Sequence, residues 1–424
     1  MTSRPPSSPT TVQRSGGLAG ERGAILVQTA AMLIGLTALS AFIVDYGILW
    51  TSRRQVQNAA DAAALAAAVS LGFDAPNDLA RARANAAVAV SENLVWGVPA
   101  NVTAGDVTLV PCPTGAVGRG PCVKVDVFRT ADRGGALPTI FGRLVGVTEQ
   151  SVQATATGQV LYGNATDCVK PLAIPDRWLE QRNNQGPPGW DPLDTFERYA
   201  PNGRLLGGPV DGYERPVGIG TNGSGYSRER NAVTAGDYGL QLRFMATPSP
   251  TTDRAGGERF VPVRMAGSGA DDFQAALQSC TSRVVTAGTT LTAENAAVSV
   301  ETAAAVTALL DRDPAAHWDG TLNGGRGGVA GGCMASGECT IAAADGSSQA
   351  TTVSPRIVAL PVFDPDQWDQ RFRRVVVRRV VGFFLERYDA PFVVGRLMVY
   401  PAAPRTSMTA DPSAAFVIGV ALVR

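Results

Sequence analysis

Between Ala24 and Val44 the chain carries 21 consecutive residues without a formal charge, AILVQTAAMLIGLTALSAFIV. At roughly 1.5 Å per residue such a helix spans about 30 Å, the thickness of a bilayer's hydrocarbon core. The run is longer than the apolar region of a signal peptide, and Asp45-Tyr46-Gly47-Ile48-Leu49-Trp50 after it offers no small-residue cleavage site. Tyr46 and Trp50 suit a membrane–water interface. The reading is a retained anchor, set against a cleaved signal and against a buried core helix. Arg4, Arg14 and Arg22, opposed by Glu21, favour a cytoplasmic N-terminus by the positive-inside rule, although Arg53 and Arg54 lie on the other side.

All six cysteines (Cys112, Cys122, Cys168, Cys280, Cys333 and Cys339) follow the anchor. An even number in an exported domain reads as disulfides. Cys112/Cys122 and Cys333/Cys339 flank Gly/Pro-rich loops and so can meet, which leaves Cys168 with Cys280, one of fifteen pairings six cysteines permit. Six unpaired thiols are the plain alternative. Zinc is disfavoured, with no CxxC and a single histidine, His317. Net charge is zero and no basic patch is interleaved with aromatics, so nucleic acid is not an expected partner.

Residues 1–23 read as a disordered cytoplasmic tail and 24–44 as the membrane helix. The helix continues past Trp50 to about Leu71, because alanine dominates from Val56 onward. Asn77 to Leu94 reads as a second helix. VTLVP (107–111) and VKVDVF (123–128) alternate around a cysteine-closed loop and predict a hairpin. Leu137 to Leu144 reads as a short helix and 151–162 as a strand. Residues 45–163 thus outline a pilin-like module, an extended helix followed by a small sheet. Residues 164–424 form a second, larger extracytoplasmic domain. It holds a polar loop region (180–235), strands at 238–245 and 259–265, helices at Ala270–Ser279 and Ala293–Leu310, a Gly-rich loop (320–349), and strands at 356–363, 373–388, 393–401 and 414–424. The fold class is α+β: one transmembrane helix extended into an Ala-rich helix, a small pilin-like α+β module and a larger sheet-rich domain.

The segment from Arg22-Gly23-Ala24 through Ala68 resembles the N-terminal motif of the Tad/Flp pilus-assembly family, the TadE/TadG-like proteins. That pattern is Arg-Gly, an apolar helix, Asp-hydrophobic-Gly, then Arg-Arg and an Ala-rich block. Asp45-Tyr46-Gly47, Arg53-Arg54 and Gln57-Asn58-Ala59-Ala60-Asp61-Ala62-Ala63-Ala64-Leu65-Ala66 fit it. Cys168–Trp178 (CVKPLAIPDRW) is similar to longer, TadG-like members. The resemblance implies a bacterial inner-membrane protein with its bulk in the periplasm or at the cell surface, partnered by the membrane and other pilus-assembly proteins, acting in adherence as a minor pilin-like or anchoring component. One departure matters. Cleaved pseudopilins of this system carry a glutamate five residues after the processing-site glycine; if Gly23 is that glycine, the position holds Gln28. An amide cannot make the ion pair with a neighbour's terminal amine, so an uncleaved anchor is expected. The Arg53–Ala68 helix is expected to contact other pilus proteins, with Ala63 and Ala67 in that interface.

Catalysis has little to work with. His317 lacks a nucleophile motif, and GIGTNGSG (218–225) and GGRGG (324–328) lack a phosphate loop's lysine and context. Neither enzymatic activity, a cofactor nor a small-molecule substrate is expected. Asp364, Asp366 and Asp369 offer carboxylates to calcium but read first as turn residues. Two alternatives stay open: an adhesin or ligand-binding module delivered by a pilus-type anchor, with 180–235 as its binding loops, and, less favoured, an exported hydrolase.

Overall fold

A computed structural model describes residues 19–424 except 75–77, 115–119, 134, 179–193, 198–203, 205, 207–224, 230–235, 248–253, 257, 343–346, 352, 369–372, 403–409, 411, 413 and 424. The expectations for residues 1–18 of the tail, for most of the 180–235 loops and for Asp369 fall outside the described residues, while residues 19–23, read as tail, belong to the first helix. The fold is mixed α+β: one long apolar helix followed by a large sheet-rich body.

The first helix, α1 (Ala19–Val69), runs 51 residues without a break, roughly 75 Å. From Gly23 to Ser40 every residue is exposed. No residue of the most apolar window is covered by the rest of the chain, and Leu26, Leu33, Ile34 and Phe42 are exposed. A soluble core helix buries such residues, so that alternative fails, and the exposed apolar span suggests a single-pass membrane anchor. Thr29 and Thr37 donate their hydroxyls to Ile25 O (2.6 Å) and Leu33 O (2.7 Å), which satisfies them within the helix, as a lipid environment requires.

The C-terminal half of α1 packs on a sheet. Helix α2 (Leu79–Glu92) starts where Asp78 accepts the Arg81 N–H (3.1 Å), and buries Ala82, Ala86 and Val90 beside α1. The strands β1 (Val107–Val110), β2 (Cys122–Arg129) and β3 (Val152–Gly163) pair antiparallel in that order. Val56, Ala59, Ala60, Ala63, Ala64, Ala67 and Ala68 of α1, with Leu71 in the π-turn that follows it, are fully buried in one cluster with Val123, Val125, Val127, Val160 and the three α2 residues. At about 25 cal/mol per Å² of apolar surface removed from water, this stripe is what holds the module on its stalk.

The second body is built from β4 (Leu172–Pro175), β5 (Gln241–Ala246), β6 (Arg259–Pro262), helix α3 (Ala270–Gln278), β7 (Thr290–Thr292), helix α4 (Ser299–Asp311), β8 (Ile357–Phe363), β9 (Arg374–Asp389) and β10 (Phe392–Met398). Hydrogen bonding runs β9–β8–β4–β6–β5–β10 and closes again on β9, a ring of six strands with β7 paired to the start of β9. Two pairings, β8–β4 and β5–β6, are parallel. Every residue of β8 is buried: Val358, Leu360 and Val362 join a cluster with Phe244, Phe260 and Phe383, while Ala359 and Phe363 join Val263, Leu291 and Val377. A strand covered on both faces reads as a continuous apolar run, which is why IVALPVF shows no alternation.

The structure departs from the sequence reading at four places. First, Leu137–Leu144 is not a helix. Leu137–Pro138 pairs antiparallel with Glu149–Gln150, and only a 3-10 turn at Gly142–Val145 forms between them. Pro138 forces Leu137 into extended backbone, so no helix can run through the pair. Second, α4 begins at Ser299, not Ala293: Ala293 N–H donates to Arg373 O (2.8 Å) in an extended crossing. Third, the Gly-rich stretch 320–349 contributes to two small hairpins, His317–Asp319 with Gly328–Ala330 and Cys339–Ala342 with Ser348–Thr351. Fourth, the closing strand β12 (Val417–Val423) leaves the larger domain and pairs antiparallel with β3 of the first sheet, from Val417↔Gly163 to Val423↔Thr157, with β11 (Tyr400–Pro401) beside it in parallel. Buried Arg228 ties the two bodies further, donating to Gly72 O (3.4 Å) and Pro412 O (2.9 Å) while lying 4.9 Å over the Tyr162 ring.

Candidate functional site

The motif residues lie along one helix and divide into three groups by what surrounds them. Gly23 and Gln28 sit in the exposed anchor; Gly23 has no other heavy atom near its Cα face, and Gln28 projects outward.

Asp45, the first residue past the uncharged run, is buried (8% exposed). Its carboxylate accepts the backbone N–H groups of Ile140 (2.9 Å), Phe141 (3.1 Å) and Gly142 (2.6 Å). It therefore caps the 3-10 turn at Gly142–Val145 from a helix almost a hundred residues earlier in the chain, satisfying amides that a turn's first residues leave unpaired. Gly142 is required by the closeness of the hairpin's own arms: a Cβ there would lie 2.9 Å from Val147 O and 3.1 Å from Thr139 Cβ. Tyr46 is exposed and stacks on Phe42 (centroids 6.0 Å apart).

The third group sits on the module. Arg53, Arg54 and Asn58 are exposed, with the Arg54 guanidinium 5.2 Å over the Trp50 ring. Gln57 donates to Asp61 Oδ1 (2.7 Å) and to Thr155 O (3.3 Å), which stitches the polar edge of α1 to β3. Gln57 and Asp61 line an open cleft of ≈ 490 Å³ with Pro113, Thr155 and Leu422. The alanines occupy the opposite side. Ala63 and Ala67 were expected to meet another subunit, yet both are fully buried against the chain's own sheet, so that interface assignment is corrected. Small side chains are needed here for close helix–strand approach inside one chain.

All six cysteines are paired: Cys112–Cys122, Cys168–Cys280 and Cys333–Cys339. His317 is exposed, its Nδ1 3.1 Å from Ala315 O. Asp364 accepts the Asp366 N–H (3.0 Å) as the cap of a 3-10 turn, the turn role read from sequence. Among the described residues no three His, Cys, Asp or Glu side chains gather as a metal set.

Sequence reasoning missed Lys170. It is 5% exposed, donates Nζ to Ser279 O (2.6 Å), and lines a cavity of ≈ 170 Å³ with Arg312 and the Cys168–Cys280 disulfide. Burial, reinforced by Arg312, pulls its pKa down to about 7. The unfolded chain binds this proton up to about pH 10.4 and the folded chain releases it near 7, so stability rises with pH between those values. We expect unfolding free energy to increase by on the order of 3 kcal/mol from pH 7 to pH 10, and Lys170→Met to flatten that rise in urea titrations. The available signal was scarcity: Lys124 and Lys170 are the only lysines in a chain otherwise supplied with arginine.

Residues 23–70 match the family model Tad, described as "Putative Flp pilus-assembly TadE/G-like". That match takes in the anchor, Asp45 and the whole buried alanine stripe, about a ninth of the chain, and it makes this N-terminal segment similar to the Tad pilus-assembly family. No curated protein matches the chain, and no solved structure does either.

Proposed function

We propose that this protein is a single-pass component of a Flp-type pilus-assembly apparatus in the bacterial inner membrane, with its bulk held in the periplasm or at the cell surface, acting as a minor pilin-like or anchoring subunit in adherence. The observation that carries this reading is the uninterrupted passage of α1 from an exposed apolar span into a folded module, within the segment that matches the family. Three disulfides favour the oxidising side of the membrane for everything after the anchor. No catalytic step, metal or cofactor is part of this role.

The contact with other assembly proteins is assigned to the side of α1 that the chain leaves open: Arg53, Arg54, Asn58 and the cleft bordered by Gln57 and Asp61. Paired arginines on a rigid helix suit an acidic partner surface. The double variant Arg53→Glu/Arg54→Glu should abolish piliation while protein level, membrane fractionation and disulfide content stay at wild-type values. Normal pili in that strain would remove this face from the mechanism.

A further inference from the structure

Residues 137–150 form a hairpin whose base is paired at Leu137↔Gln150 and Pro138↔Glu149. The Thr139 N–H donates to Thr148 O (3.2 Å), and its hydroxyl donates to Val147 O, which keeps the arms together to the tip. The tip is apolar where a surface turn is ordinarily polar: Leu144 is 83% exposed and Ile140 57%, with Val147 and Arg143 also exposed. Three amides of this tip hold Asp45, so its height along α1 is fixed at the first residue beyond the apolar run. One turn deeper, Ala41 is the one residue of 23–44 that is not fully exposed. The folded body thus covers α1 to a level roughly 5 Å below Val44, within the membrane span itself.

We propose that hairpin 137–150 is a membrane foot: its tip sinks Ile140 and Leu144 into the headgroup–acyl boundary beside the anchor, with Arg143 among the lipid phosphates. The inference rests on reading α1 as the anchor. The occupant is lipid because the apolar tip is continuous with the lipid-facing surface of α1 and lies at the same depth. A second hairpin, Leu94–Val95 with Val98–Pro99, also exposes a tip residue, Trp96. It is bound at Gln55 (Trp96 N–H to Gln55 Oε1, 3.1 Å), ten residues and roughly 15 Å farther out, beyond the boundary region. Asp45 then has a definite role. A carboxylate at the hydrocarbon edge is tolerated because amides of the foot surround it, and the foot is held because the carboxylate is there. The pair sets the tilt of the stalk against the membrane.

The full-length chain, one copy per nanodisc of phosphatidylcholine and phosphatidylglycerol, supplies the test. All six native cysteines are paired, so a spin label on Leu144→Cys, Ile34→Cys or Val300→Cys has a unique attachment site. Oxygen against nickel-chelate accessibility reports depth. Ile34 should read as lipid, Val300 (77% exposed on α4) as water, and Leu144 as lipid at shallower depth, its ratio several-fold above that of Val300. Leu144 reading like Val300 while Ile34 stays in lipid overturns the foot and leaves the anchor standing; Ile34 in water overturns the anchor. A Leu144 label shielded from both reagents means protein covers the tip, and the lipid assignment falls. Adding Asp45→Ala to the Leu144→Cys chain should cut the lipid signal several-fold, and an unchanged signal overturns the pinning by Asp45.

Discussion

Gly158→Val should dislodge the stalk helix from its sheet. A Cβ at Gly158 would lie 2.3 Å from the Ala64 carbonyl oxygen, 2.9 Å from its carbon and 3.1 Å from Ala68 Cβ. Two of these are backbone atoms, so no rotamer change relieves the clash, and α1 must move as a rigid rod. β3 lies between β2 and β12, so the strand cannot retreat either. Overpacking a core ordinarily costs about 1–3 kcal/mol, and a collision with the helix main chain belongs at or above the top of that range. Ala63→Leu and Ala67→Leu should behave alike, since both sites have no solvent to expand into. Asn58→Ala, one side over on the same helix and exposed, should stay within about 0.5 kcal/mol of the parent. Denaturant titration of the detergent-solubilised chain checks the set. Equal stability of the Gly158 and Asn58 variants would mean that the alanine stripe is not the module's core.

This contrast shows what the sequence made legible. The anchor is a local property, twenty-one uncharged residues in a row, and needs no tertiary partner to be read. The alanine block was equally plain as helix, but its meaning depended on what lies across from it. Alanine permits close approach to a neighbouring subunit or to the chain's own strand, and Gly158, more than ninety residues later, decides between them. Local signals also carried most of the individual strands. They did not show the closed ring, which depends on β9 pairing with β8 along one edge and with β10 along the other. Nor did they place β12, whose apolar sequence suits either sheet; only the pairing with β3 shows that the chain end returns to the first module. Asp45 stood in the matched motif, yet its acceptor role requires the amides of a loop that read as helix. Lys170 was silent for a related reason: burial is a property of the assembled fold, and one lysine between Val169 and Pro171 looks like any surface residue.

Removing the Cys168–Cys280 bridge should cost more than removing either of the others. Its sequence separation is 112, against 10 for Cys112–Cys122 and 6 for Cys333–Cys339. In the chain-entropy account, a loop of that length is worth about 4–5 kcal/mol in lost freedom of the unfolded chain, and the two short loops about 2–3 kcal/mol each. The long bridge also sits where the second body is stitched together. Cys168 N–H donates to Thr281 O (3.1 Å), Cys280 N–H to Ala342 O (2.9 Å), and Val169 pairs with Ala359 of β8. The double variant Cys168→Ser/Cys280→Ser should therefore lose roughly 2 kcal/mol more than Cys333→Ser/Cys339→Ser in urea titrations, with the loss concentrated in the transition that unfolds the ring. A second readout separates this from a general loss of packing. The bridge walls the cavity that desolvates Lys170, so opening it should admit water, return the lysine pKa toward its ordinary value and shrink the rise in stability between pH 7 and pH 10. The Cys333–Cys339 variant should keep that rise intact. Equal losses for all three bridges, with an unchanged pH profile in each, would show that loop length does not govern their contribution and that the cavity is not sealed by the disulfide.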